Sequence, residues 1–304
     1  MICPKCSGAV QSRGTKKQMR KFVCISPSCH KEYDWRGWFS VEVDAQEYIE
    51  PVSILTIDIE TSPVLIWNFG LSTPMRRVGL DKLEQDYFVI SWSAKWYGKE
   101  KVISAVCTPQ EALEQNDERI IRELWALLEQ PTVVVSHNGR FFDIPKIEDR
   151  YSLYGLGPNL PYKLVDTYSV SKRLGSISRK LDYLAGRHFG NNKHDTNFDL
   201  WKQCCYGNKK ALKRMSAYND QDVVIGEQIF DFLRVWDRAP LNIGLFNNSD
   251  EPVCRSCGGE FTVNKKSFAT PMNLYATYRC NECGYCGKLK QSKLTPLQRA
   301  NLTK

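Results

Sequence analysis

Blocks of alternating and helically spaced apolar residues fill the middle of this chain. "VSILTIDIE" (52–60), "YFVISWSAKWYG" (87–98) and "KVISAVCT" (101–108) are rich in β-branched and aromatic residues and predict three strands. The last two are joined by a hairpin at Gly98-Lys99. "NDERIIRELWALLEQ" instead spaces Ile120, Ile121, Leu124, Leu127 and Leu128 as one helical face and ends before Pro131. "TVVVS" (132–136) predicts a short buried strand. "DIPKIEDRYSLY" (143–154) predicts a helix that tolerates Pro145 in its first turn, and "YKLVDTY" (162–168) another strand. A long helical pattern occupies 208–236. Strands first, then strand–helix–strand units, imply an α/β fold with a mixed sheet flanked by helices.

Two polar residues break the pattern of the first strand. Asp58 and Glu60 stand at i and i+2, so both carboxylates project from one face. Like charges placed side by side on a buried strand are costly unless a cation lies between them, and hard divalent ions favour carboxylate oxygens. Two further segments carry matching chemistry. "SHNGRFFDIP" puts Asp143 at the start of a helix, and "AYNDQDVVIGEQIF" puts Tyr218 and Asp222 at i and i+4 on one helical face. Singly, each has an ordinary alternative: Asp143 as a helix cap, Tyr218 and Asp222 as a surface pair.

The ends of the chain differ from its middle. Of twelve cysteines, four fall in residues 1–30 and five in 254–286, mostly as close pairs. Cys3-x2-Cys6 with Cys24-x4-Cys29 at one end, and Cys254-x2-Cys257 with Cys280-x2-Cys283 at the other, have the spacing of four-thiolate zinc ribbons. His30 is an alternative to Cys29, and Cys286 to Cys283. Cys107, Cys204 and Cys205 have no partners at ligand spacing and read as ordinary thiols. The domains expected are therefore a zinc ribbon at 1–40, the α/β domain at 41–245, and a second ribbon with a basic tail at 246–304.

Charge follows the same division. Residues 1–40 hold eight Lys/Arg against two acids, and 251–304 hold nine against three, so a net +8 leaves the middle mildly acidic. Basic ends with interleaved aromatics suit a polyanion with exposed bases: Lys16, Lys17, Arg20, Lys21 and Phe22 at one end, Lys265, Lys266, Phe268, Tyr275, Tyr278 and Arg279 at the other. Trp35 and Trp38 suit packing at a junction equally well. No apolar run is long enough to span a bilayer, and the start lacks the basic-then-apolar layout of a signal peptide. A cytoplasmic protein, in a cell or a virus-infected cell, is the expectation.

Taken in order, Asp-x-Glu, Asn-x3-Phe-Asp and Tyr-x3-Asp resemble the DEDD exonucleases of the ribonuclease-H-like fold, in the subgroup with a tyrosine before the last acid. "DIET" and "NGRFFDIP" are most similar to the exonuclease domain of family B DNA polymerases; the ribbons lie outside the resemblance, which covers roughly 52–237. It implies a stand-alone, metal-dependent 3′→5′ exonuclease acting on single-stranded DNA or RNA ends, since no polymerase domain fits in 304 residues. It also implies two catalytic Mg²⁺ or Mn²⁺ ions held by Asp58, Glu60, Asp143 and Asp222, with Tyr218 orienting the attacking water. Two structural zinc ions would occupy the ribbons. Asn138 is a candidate for holding the terminal nucleotide, and Lys172, Arg173, Arg179 and Lys180 for lining the strand's path; a solvated helix face is the plain alternative for those four cations. Phe142 reads as core, His137 as structural, and Asp220 as pointing away from the site. Asp166 reads as a cap or a support for the site. His188 and His194 fall in a basic loop. A polymerase or another replication protein is an expected partner, and a membrane is not. The competing functions are a ribbon-based nucleic-acid adaptor in replication or repair and a structure-specific endonuclease of the same fold.

Overall fold

In a computed structural model, side chains are described for residues 52–69, 79–190, 196–247, 249 and 251–303; for 10–16, 19–24 and 32–34 only the backbone is described. Contacts divide the chain into Met1–Pro51 and Val52–Lys304. In the first unit, β1 (Val10–Lys16), β2 (Met19–Cys24) and β3 (Glu32–Asp34) form a three-stranded antiparallel sheet. The thiols of Cys3, Cys6, Cys24 and Cys29, and His30, Trp35, Trp38 and the flanking basic residues, lie outside the described side chains.

The second unit is built on β4 (Ile54–Thr61), β7 (Val89–Trp96), β8 (Val102–Val106), β9 (Val133–Ser136) and β10 (Lys163–Asp166). Their order is β10-β9-β4-β7-β8. β4 pairs antiparallel with β7, and β7 with β8; β9 runs parallel to both β4 and β10. β5 (Leu65–Ile66) and β6 (Leu83–Gln85) make a small separate hairpin. The helices are α1 (Pro109–Glu114), α2 (Glu118–Leu128), α3 (Asp143–Leu153), α4 (Thr167–Ser171), α5 (Leu181–Phe189), α6 (Phe198–Cys205) and α7 (Lys209–Arg234). The sequence predicts β4, β7, β8, β9, α2, α3 and α7 well. "YKLVDTY" is a strand only to Asp166, because the Asp166 carboxylate accepts from the Tyr168 and Ser169 amides and caps α4.

Strand alternation gives the sheet two unlike faces. Leu55, Ile57 and Ile59 of β4, with Ile90, Trp92 and Ala94 of β7, are buried among the apolar residues of α2, and the Trp92 indole donates to the Ile120 carbonyl at 2.7 Å. The opposite side of β7 is polar and equally buried. There Ser93 donates to Asp220 of α7 at 2.6 Å, and Lys95 pairs with Glu227 at 2.8 Å. Thr56, Asp58 and Glu60 share that polar side, with Asp58 opposite Ser93 and Glu60 opposite Ser91. A Cβ at Gly226 would sit 3.1 Å from Thr56, so glycine there lets α7 lie close on β4.

Beyond α7, β11 (Phe261–Thr270), β12 (Asn273–Cys280) and β13 (Cys286–Ser292) form an antiparallel sheet, followed by the short α8 (Pro296–Ala300). No helix among the described residues is long and apolar enough to cross a membrane.

Candidate metal centres

The acids of the polar face converge. Ligand oxygens of Asp58, Glu60 and Asp222 all lie within 4.8 Å of one another. They open into a cavity of about 260 Å³ that is also lined by Ile59, His137, Asn138, Phe142, Asp143 and Leu181. β4 supplies two acids through its i, i+2 alternation, and α7 supplies the third from the segment that crosses β4. Like charges about 4 Å apart repel by roughly 4 kcal/mol per pair at an effective dielectric of about 20. A hydrogen bond to a charged group returns only about 1.5–3 kcal/mol. Two such bonds are present: the Asn219 amide donates to Asp58 at 2.6 Å, and the Trp201 indole to Glu60 at 3.0 Å. They orient the carboxylates, and three ligand oxygens gathered this closely fit a divalent cation, a hard one by their all-oxygen donor set.

Asp143 lines the same cavity but stands outside the three-acid cluster. It does not cap α3, where Phe142 takes that position; its Oδ1 instead accepts from the Ile59 amide at 3.1 Å, between the two acids of β4. Burial pushes its carboxyl up to about 7, aided by the charge of Asp166 and opposed by the Ile59 amide and Ser136. Tyr218 is buried one turn before Asp222 and packs edge-on against Trp201, with ring centroids 6.0 Å apart. Asn138 adopts a left-handed φ of 73°, donates its amide to Asp166 at 3.0 Å, and receives the amides of Phe141 and Phe142 at its carbonyl.

The readings of Phe142 and His188 change here, while those of Asp166 and His137 hold. Phe142 is not core; it is 38% exposed and faces the acid cavity. Asp166 serves as a cap and as the anchor of Asn138. His137 has both ring nitrogens engaged, by Thr167 Oγ1 and the Arg179 carbonyl, each at 2.8 Å. His188 belongs to α5, not a loop, and stacks on Phe232 with centroids 4.2 Å apart; His194 lies outside the described residues. Lys172, Arg173, Arg179 and Lys180 do not line the acid cavity. Lys172 and Arg179 rest over Tyr168, Lys180 precedes α5, and Arg173 donates to the Trp236 carbonyl. Two partners of the acids were missed. Asn219 stands three residues before Asp222, a spacing that marks a shared helical face; nothing local marks Trp201.

The second centre is local. The thiols of Cys254, Cys257, Cys280 and Cys283 all lie within 4.8 Å of one another, with Cys254–Cys283 at 3.8 Å and Cys257–Cys280 at 3.5 Å. A tetrahedral cage with Zn–S bonds of about 2.3 Å has edges of about 3.8 Å, so the set fits zinc. Each pair sits in a tight turn closed by a left-handed glycine: Gly258 (φ 79°) donates to the Cys254 carbonyl, and Gly284 (φ 74°) to that of Cys280. Cys286 is exposed and outside the cluster, which assigns the fourth position to Cys283.

A family model described as the RNase_H superfamily matches residues 77–234, which begin after β4 and its two acids. The family B DNA polymerase from the hyperthermophilic archaeon Pyrobaculum calidifontis is similar in structure at 16% identity and a TM-score of 0.44. The similarity covers 65% of this chain and 27% of that one. No curated protein matches the sequence.

Proposed function

Starting from the chain's membership of the RNase H superfamily, we propose that it is a metal-dependent nuclease acting as a 3′→5′ exonuclease on single-stranded nucleic-acid ends. The observation that carries this reading is the meeting of Asp58, Glu60 and Asp222 in one open cavity. These three would hold the catalytic ions, Mg²⁺ or Mn²⁺, with Asp143 beside them. Such ions, when bound, supply an ionised water at neutral pH and stabilise the departing oxygen.

The chain's own residues do the positioning. Asn219 fixes the Asp58 carboxylate, and Trp201 fixes Glu60. Asp143, tied to the Ile59 amide, keeps a proton until metal or higher pH removes it. Asn138 and Phe142 form the part of the cavity wall free to meet a terminal nucleotide, and an exposed ring there suits stacking on a base. Tyr218, packed on Trp201 one turn before Asp222, would orient the attacking water.

The test is digestion of single-stranded DNA and RNA labelled at the 5′ end, with Mg²⁺ or Mn²⁺. A ladder shortening from the 3′ end, reduced at least about 100-fold in Asp58→Ala, is expected, the scale on which a single electrostatic group contributes. Internal cuts would favour an endonuclease. Binding without any metal-dependent cleavage would favour an adaptor.

A further inference from the structure

The ribbon does more than enclose a cysteine cluster. One side of its sheet turns toward the end of α7 and leaves an open cleft of about 1470 Å³. Lys266, Arg279, Lys288 and Lys290 come from the sheet, and Arg238 and Arg255 from outside its strands. Asp237 is the one acid among the described residues that line it, and it is occupied as the acceptor of the Ala239 amide.

Aromatic rings stand among these cations. Phe268 pairs with Tyr275 across β11 and β12, and the Lys288 ammonium lies 4.8 Å and 4.1 Å from their ring centroids. Phe268 is 48% exposed, and Trp236 on the opposite side is 46% exposed. Both rings keep a face open to a partner. Cations set among open rings match a polymer that carries both phosphates and unpaired bases. Duplex DNA hides its base faces, so the rings favour a single strand.

We propose that this cleft is a holding site for single-stranded nucleic acid, separate from the acid cavity. The two lie close along the chain. Arg173 lines the cleft and Leu181 lines the acid cavity, and the backbone between them spans no more than about 30 Å even when fully extended. The inference rests on the nuclease reading only in leading the held strand to the acids; the polymer is chosen by the cleft's own chemistry.

The experiment measures anisotropy of a labelled oligothymidylate, an oligouridylate and a duplex of equal length, in an Asp58→Ala background that prevents cutting. Adding Lys288→Ala with Arg279→Ala should lower the slope of log affinity against log salt by about 0.7 per cation removed. Phe268→Ala should weaken single-strand binding at least about fivefold, the low end for a lost base stack. The charge-keeping pair Lys288→Arg with Arg279→Lys should bind like the parent, which separates lost charge from lost folding. The DNA and RNA arms show which sugar is preferred. Unchanged affinity and slope in both alanine variants, or tighter binding of the duplex, would overturn the proposal. Cleft-dependent binding by a protein that never cuts would leave the proposal standing and sink the nuclease reading instead.

Discussion

The acid cavity and the cysteine cluster gather their ligands in opposite ways. Cys254, Cys257, Cys280 and Cys283 come from two tight turns of one small sheet whose outer strand positions are largely exposed. Asp58 and Glu60 come from β4 and Asp222 from α7, elements joined by a large buried core. In the first case only a small cluster around Tyr278 and Tyr285 backs the turns, so a bound zinc would supply much of the local folding energy. In the second the fold exists first and forces the carboxylates together against their repulsion. One centre would stabilise its surroundings through the metal, and the other would offer a metal acids that the fold has already gathered.

The strongest way to break the comparison is to remove zinc ligands. Structural zinc contributes about 10–16 kcal/mol in small zinc modules. Cys257→Ser with Cys280→Ser should therefore lose bound zinc and hydrogen-exchange protection across β11 to β13, while β4, β7 and β9 stay protected. Ribbon strands that stay protected without zinc would show that strand pairing alone holds them.

A smaller effect is expected from the groups that orient the acids. Outer partners of metal ligands are worth about 10–100-fold in metal affinity or activity. Trp201→Phe and Asn219→Ala should weaken Mn²⁺ binding on that scale without unfolding the sheet, as titration calorimetry with parallel thermal melts would show. Unchanged Mn²⁺ affinity in Trp201→Phe would reduce the indole to a space-filler.

A separate effect concerns protons. Asp143 keeps its proton up to about 7 because burial disfavours the charged form, so the folded state binds a proton that the unfolded chain has already released. Metal-free stability should then fall as pH rises from the ordinary carboxyl range toward 7. Divalent-ion affinity should rise over the same window and level off above it. Asp143→Asn should flatten the stability trend, measured by melts at several pH values with and without Mn²⁺.

The parts of this molecule that sequence reveals are those whose signal is local. The i, i+2 acids of β4, the i, i+4 pair of α7 and the paired cysteines are each visible within a few residues, and the structure brings the acids of β4 and α7 together. What stayed hidden was set by distant packing. Trp201 meets Glu60 across 141 positions, and α6, which carries it, is only eight residues long. Phe142 has the composition of a core residue, yet the left-handed turn at Asn138 leaves it at the rim of the acid cavity. The polar side of β7 looks like any alternating strand, and only contact with α7 shows that its serines and lysine are buried partners. Asn219 was the one omission with a usable clue, since its spacing from Asp222 was open to inspection.

The indole bonded to Glu60 carries one more consequence. Tryptophan emission responds to charge and to paramagnetic ions nearby, so Trp201 is a built-in optical gauge of the acid cavity. Among the tryptophans of the described residues, this one should be the most strongly quenched when manganese arrives, giving a label-free readout of how full the centre is.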